Sequence, residues 1–191
     1  MAHLTILGTG NMGSAIASVA EKGGHTVQLL GRSDTDRDVI GDLVVLAVPY
    51  PAVSEILDQR ANQLVGKVVV DITNPLDVET FDALVVPPSS SATAEIATAV
   101  PDAKVVKAFN TNFAATLASG TIGDQPTTVL IAGDDVDAKG KVAEVVTGGG
   151  LKAIDVGDLR RARELEAIAF LQITLAAAEK LPWTGGFAVL G

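Results

Sequence analysis

Residues 6–13 read Ile-Leu-Gly-Thr-Gly-Asn-Met-Gly, and no other stretch restricts the fold of this chain as strongly. An apolar run over 4–7 meets Gly8-Thr9-Gly10-Asn11-Met12-Gly13, and a small-residue helical pattern follows over 14–20. Gly8 permits a tight turn off a strand. Gly10 leaves the backbone open to close approach by a diphosphate, and Gly13 lets a helix lie close on a sheet. A helix starting there presents free N–H groups and the positive end of its dipole to an anion. Glycines at this spacing occur in many turns. Their place between a first strand and a first helix is what points to a dinucleotide.

The rest of the chain repeats the alternation. Apolar runs over 4–7, 26–30, 43–48, 67–72, 104–109, 128–132 and 151–156 are mostly continuous, as strands buried on both faces read. Helical patterns lie between them. The first, 14–22, stops at Gly23-Gly24; the second, 51–59, has proline in its first turn and Val53, Ile56 and Leu57 on one face. A third over 91–100 follows Pro87-Pro88-Ser89-Ser90, a fourth over 136–146 runs into Gly148-Gly149-Gly150, and the longest, 158–180, is stopped by Pro182. The expectation is one α/β domain over 1–191. It has a doubly wound, mainly parallel sheet of the Rossmann kind, with the helix and tail of 158–191 packed on it. Only 31–42 joins the second strand to the third run. That is too short for a crossover helix plus a strand, so the outer third strand is expected to be missing.

A net charge of −9 repels nucleic acid and anionic membranes, so neither is an expected partner. It also means that an anionic cofactor must be held by locally arranged donors. The absence of cysteine excludes disulfides, thiol catalysis and thiolate-bound metals, and is compatible with a cytoplasmic protein. No apolar run approaches the roughly 20 residues of a membrane span. The N-terminus enters strand structure at once, so no leader is expected.

Sites specific for NAD place an acidic residue at the end of the second strand, against the ribose 2′-hydroxyl. Here Leu30-Gly31-Arg32-Ser33 stands there. A guanidinium pairs a 2′-phosphate through two parallel hydrogen bonds, Ser33 adds a donor, and Thr9 can add another, so NADP is favoured. The alternative makes Arg32 a solvated loop residue answering Asp34, Asp36 and Asp38. Those three carboxylates are expected to point outward.

In an open α/β sheet, ligands lie beyond the carboxyl ends of the strands. The segments leaving those ends are Ala47-Val48-Pro49-Tyr50-Pro51, Asp71-Ile72-Thr73-Asn74-Pro75 and Lys107-Ala108-Phe109-Asn110-Thr111-Asn112. Asn74 and Asn110 can each bond a nicotinamide amide or an acceptor ring, although both also suit turns. Tyr50 can stack on a ring. No Ser-His-Asp arrangement, metal-ligand spacing or carboxylate pair appears, and His3 and His25 sit before strands. Lys107 and Asp71 are candidate proton donors, with a structural ion pair the simpler reading. No catalytic side chain is assigned. The lack of a positioned acid favours a flavin-like acceptor, because two cofactors carry such chemistry between them. Arg160, Arg161 and Arg163, mixed with Glu164 and Glu166, read as a solvated, salt-bridged face. Trp183 opens a glycine-containing apolar tail. It can pack on the core, wall the acceptor pocket or meet a second copy; packing together with a homodimer contact through the last helix and tail is the expectation.

The segments G-T-G-N-M-G, G-R-S, A-V-P-Y, D-I-T-N-P-L, S-S-A-T-A-E-I and V-V-K-A-F-N-T, in this order, resemble the NADP oxidoreductases dependent on the deazaflavin coenzyme F420. They also resemble the oxidoreductase domain of the Steap metalloreductases, which passes hydride from NADPH to a flavin. The resemblance extends to R-A-R-E-L-E-A and W-T-G-G-F-A-V near the C-terminus. It implies that Thr9, Asn11, Met12, Arg32 and Ser33 contact NADP, with Gly8, Gly10, Gly13, Ala47 and Val48 completing the cofactor site. Pro49 and Asn74 would lie near the nicotinamide, and Tyr50, Asn110 and Thr111 on the acceptor side. The implied activity is hydride transfer between NADP(H) and a flavin, a deazaflavin or another small acceptor. Two other readings stay open. One is imine reduction, as in pyrroline carboxylate reductases, which share G-x-G-N-M-G but need a further helical domain. The other is an NADP-binding sensor without turnover.

Overall fold

Every residue of β3 (Leu43–Leu46) and β4 (Val68–Asp71) is buried, so these central strands are covered on both faces. Side-chain alternation sorts their residues between two cores. Leu43, Val45, Val68 and Val70 face one, with Ile16 and Val19 of α1 (Asn11–Lys22). Val44, Leu46 and Val69 face the other, with Leu57 and Leu64 of α2 (Val53–Leu64) and Ile96 of α3 (Ala92–Ala99). The computed structural model describes residues 1–77 and 79–190.

The remaining elements are β1 (His3–Leu7), β2 (Thr26–Leu30), β5 (Lys104–Lys107), α4 (Ala114–Ser119), β6 (Thr121–Ile122), β7 (Gln125–Pro126), β8 (Thr128–Gly133), α5 (Val136–Gly148), β9 (Lys152–Gly157) and α6 (Ala162–Ala177). Seven strands form one sheet in the order β2-β1-β3-β4-β5-β8-β9, and β6 and β7 make a small hairpin apart from it. The first five are parallel; β8 is antiparallel to β5, and β9 is parallel to β8. The chain leaves β1 to one side for β2 and returns on the other for β3, which opens a crevice between the carboxyl ends of β1 and β3. As expected, β2 is an edge strand, and among the described residues no third strand lies outside it. The segment that follows folds back: Gly41 N–H donates to Thr5 Oγ1 at 2.8 Å, and Gln28 Nε2 donates to the Asp38 carbonyl at 3.0 Å.

Several boundaries differ from the sequence reading. Helix α1 starts at Asn11, so the motif's last three residues form its first turn. Strand β5 stops at Lys107 because Phe109 takes a left-handed backbone, φ 62°, which turns the chain away from the sheet. The single helix expected over 158–180 is a 3-10 turn (Leu159–Arg161) followed by α6, which ends at Ala177. Glu179 adopts φ 57°, and the N–H groups of Lys180 and Leu181 both fold back onto the Leu175 carbonyl, at 2.9 and 3.2 Å. This left-handed stop acts before Pro182 is reached. Among the described residues no helix is long and apolar enough to cross a membrane.

Candidate dinucleotide and acceptor site

The glycine loop joins β1 to α1 at the head of the crevice. Gly8 has φ 122°, and a Cβ there would lie 2.1 Å from the Ala47 carbonyl oxygen. A Cβ on Gly13 would lie 2.1 Å from the Gly8 carbonyl oxygen, so α1 packs against its own loop without room for a methyl group. Gly10 differs: a Cβ there would meet nothing within 4 Å. Gly10 caps α1 with extended backbone and no side-chain hydrogen bond, which leaves the first-turn N–H groups without a side-chain acceptor. Open space beside uncapped donors at a helix N-terminus is what a diphosphate requires.

A cavity of about 530 Å³ lies beside this loop. Gly8, Thr9 and Gly10 border it on one side, Leu30, Gly31 and Arg32 at the end of β2, and Ala47, Val48 and Pro49 after β3. One face of α2 and its preceding turn closes it through Ala52, Glu55, Ile56, Gln59 and Arg60. Arg32 is exposed and forms no ion pair among the described residues. Asp34 does not point outward as expected. Its carboxylate accepts the Gly31 N–H at 2.7 Å and the Arg37 guanidinium at 3.3 Å. The Gly31 bond, ahead of Arg37, holds its pKa below the ordinary carboxylate value. Asp36 and Asp38 are exposed. Arg60 is buried and donates to the Arg37 carbonyl at 2.8 Å and the Asp34 carbonyl at 2.6 Å, which fixes the 34–37 loop against α2.

The next two residues of the loop, Asn11 and Met12, face a second cavity of about 500 Å³. Ile72 and Asn74 beyond β4, Asn110, Asn112 and Phe113 beyond β5, the start of α4, Ile173 of α6 and Trp183 line the rest. Asn110 Nδ2 donates to Asn74 Oδ1 at 3.0 Å, and Asn74 Nδ2 donates to the Asn110 carbonyl at 3.0 Å. Asn110 Nδ2 also reaches the Leu165 carbonyl of α6 at 3.1 Å, while Asn110 Oδ1 is buried without a partner. None of the described residues lining this cavity is titratable.

Beneath the asparagines, on the α3 side of the sheet, sits a charged cluster. Asp71, Lys107 and Glu166 are all completely buried. The three protons of Lys107 Nζ go to Asp71 Oδ2 at 2.8 Å, Glu166 Oε1 at 2.9 Å and the Thr73 carbonyl at 2.6 Å. Asp71 Oδ1 accepts the Thr73 N–H at 2.8 Å, so strand-end carboxylate and lysine together set the turn that carries Asn74. Glu166 accepts the Ala92 N–H at the start of α3 at 3.1 Å, and Thr93 Oγ1 donates to Asp71 Oδ2 at 2.7 Å. Burial pushes the Glu166 pKa up, against the pull of Lys107. Lys107 and Asp71 thus make the structural ion pair read from the sequence. Glu166 corrects the expectation of a solvated face. Only Glu164 stays outside, with Arg161 and Arg163, because 166 falls on the buried stripe of α6 with Leu165 and Ala169.

Other candidate positions lie elsewhere. Tyr50 faces a separate depression between α2 and α3, where its hydroxyl donates to Glu95. Burial first, then Glu95, raise its pKa, so the phenol keeps its proton. Ser33 is exposed and lines neither large cavity; Thr111 is buried and offers its carbonyl to Gln172 Nε2 at 3.1 Å. His25 Nδ1 accepts the Ala2 N–H at 3.0 Å, a structural contact. The sequence reading missed Arg60, whose signal was its spacing from Ala52, Glu55, Ile56 and Gln59 along one helical face. It also left Phe113 and Ile173 out of the site.

A switch-point crevice with a glycine loop, beside a neutral cavity at the carboxyl ends of the strands, defines a dinucleotide-binding oxidoreductase of the Rossmann class. Residues 35–75 match the family described as NADP oxidoreductase, coenzyme F420-dependent. The chain is 31% identical over 173 residues to the F420-dependent NADP reductase of Methanocaldococcus jannaschii, spanning 87% of this chain and 76% of that one. Metalloreductase STEAP3 of Rattus norvegicus is 39% identical over 108 residues, which is 56% of this chain and 21% of that protein. A crystal structure of a provisionally assigned F420-dependent NADP reductase from Arthrobacter sp. FB24 superposes with a TM-score of 0.86 at 26% identity, covering 100% of both chains. An imine reductase from Bacillus cereus shares the fold alone, with a TM-score of 0.63 at 20% identity over 93% of this chain and 61% of that one. The chain belongs to the F420-dependent NADP reductase family and is an NADP-dependent oxidoreductase.

Proposed function

We propose that this protein transfers hydride between NADP(H) and a deazaflavin of the F420 type. The observation that carries this reading is the neutral lining of the second cavity. Reduction of a carbonyl or imine calls for a positioned acid, and the described lining residues supply none. A flavin-type ring needs only distance and face to be fixed. The M. jannaschii relative's activity supports the deazaflavin over a flavin.

In this reading the first-turn N–H groups of Asn11, Met12 and Gly13 hold the diphosphate, with Gly8 and Gly10 giving it room. Thr9 and Arg32, which border the first cavity, take the 2′-phosphate. Ala47, Val48 and Pro49 wall the middle of the cofactor. Asn74 and Asn110, locked to each other, present the nicotinamide to the acceptor, and the partnerless Asn110 Oδ1 is the acceptor left for a ligand N–H. When bound, the reduced nicotinamide would supply a hydride to the acceptor ring, leaving NADP⁺, and solvent would supply the one proton that completes the reduced ring. A single domain working in the cytoplasm belongs to the same proposal, in keeping with a chain that has no cysteine.

The test is anaerobic NADPH oxidation with F420, FMN, FAD and a cyclic imine offered in turn. Turnover with F420 well above the others is the expected result. Turnover with the imine alone, or tight NADPH binding with no acceptor used, contradicts it in favour of imine reduction or a nucleotide sensor.

A further inference from the structure

Trp183 is the chain's only tryptophan, and half of its surface (53%) is exposed at the mouth of the second cavity. Its ring lies 4.9 Å from that of Phe113, tilted by 52°, a contact that holds it while half of its surface stays open. We propose that Trp183 is the aromatic wall of the acceptor site, against which a flat, uncharged heteroaromatic ring rests. The inference rests on the hydride-transfer reading above and adds to it an acceptor-specificity residue supplied by the C-terminal tail.

The tail is held in register by more than apolar contact. Gln172 of α6 is buried, and both ends of its amide are used. Its Nε2 donates to the Thr111 carbonyl at 3.1 Å, and its Oε1 accepts the Phe187 N–H at 2.9 Å. Gly186, with φ 155°, passes so close that a Cβ would lie 3.2 Å from the same Oε1. A buried amide is costly unless both ends are satisfied, so this side chain specifies one position of the tail relative to the 110–112 loop. Between α6 and this clip, Gly185 N–H turns back to the Pro182 carbonyl at 2.8 Å, which fixes the turn that carries Trp183. Gln172 is therefore a positioning residue for the wall. Across the cavity stand Asn74 and Asn110, whose amides suit the polar edge of a heteroaromatic ring, while Ile72 and Ile173 suit its face. Trp183 does not border the first cavity, so its role is confined to the acceptor.

The lone tryptophan makes the test direct. Its emission, excited selectively and corrected for absorption by the added ligand, is followed during titration with F420, next to steady-state kinetics of wild type, Trp183→Ala, Trp183→Phe and Gln172→Leu. The expected result is saturable quenching, a rise of roughly tenfold in KM for F420 in Trp183→Ala with NADPH affinity unchanged, and recovery in Trp183→Phe. Gln172→Leu should raise the same KM without altering NADPH affinity. If F420 is reduced but emission is unmoved and Trp183→Ala keeps the wild-type KM, the wall is refuted and the oxidoreductase reading stands. If wild type reduces neither F420 nor a flavin, both fall.

Discussion

We propose that Arg32, on the wall of the first cavity, decides which nicotinamide cofactor this chain prefers. Its guanidinium is exposed and borders the cavity, while Asp34, two residues on, is engaged by the Gly31 N–H and Arg37. A free cation beside a neutralised anion is the arrangement a 2′-phosphate needs. Charge-assisted hydrogen bonds of this kind contribute roughly 1.5–3 kcal/mol. Arg32→Ala should therefore weaken NADPH binding by about tenfold to a hundredfold and leave NADH binding unchanged, as read by cofactor fluorescence on titration. Equal loss for both would refute the assignment. The place of Arg32 on the first cavity was legible because it sits at a fixed offset from the glycines. That of Arg60 was not, because its spacing with Ala52, Glu55, Ile56 and Gln59 marks a helical face but not what that face meets.

At the scale of elements, the Asp71–Lys107–Glu166 cluster joins β4, β5, α3 and α6 beneath the site. Lys107→Met would leave two buried carboxylates without their cation, and breaking a buried pair in this way costs roughly 3–5 kcal/mol. A large fall in the thermal midpoint is expected; a shift of a degree or less would contradict the role given to the cluster. Glu166 also carries a pH signature. Its folded pKa is raised from the ordinary 4.5 by burial, so its contribution is full below that value and is lost as pH climbs through the raised one. Glu166→Gln removes this dependence. The midpoint of the variant relative to wild type should therefore rise as pH goes from acid to neutral, and a constant difference would show that Glu166 titrates normally. The sequence showed β4 and β5 through their valine runs but misplaced Glu166. Neighbouring Arg163 and Glu164 made the segment look solvated, and only the helical phase set by Leu165 and Ala169 turns 166 inward.

For the whole molecule, the mainly parallel sheet and its missing outer strand were legible because buried parallel strands read as continuous apolar runs and the 31–42 connection had no room for another strand. The reversal at β8 was not, since antiparallel and parallel strands buried on both faces look alike in sequence. Helix α4 and the β6–β7 hairpin were too short to show a period, although Gly120, Gly123 and Asp124 are turn residues. Leu171, Phe187 and Leu190 leave apolar surface on the last helix and tail, and we propose that a second copy of the chain covers it. Sedimentation velocity should give the mass of a dimer; a monomer across the micromolar range would contradict this.

The proposed binding of NADPH depends first on the loop between β1 and α1. Titration calorimetry of NADPH into wild type and Gly10→Ala, alongside thermal unfolding of each, tests it most directly, because a methyl group at Gly10 meets no protein atom within 4 Å and enters the open space we propose for the diphosphate. The expected result is an unchanged unfolding midpoint and a loss of NADPH affinity of about a hundredfold, of the order set by displaced charge-assisted bonds. Equal NADPH affinity in the two proteins would contradict it.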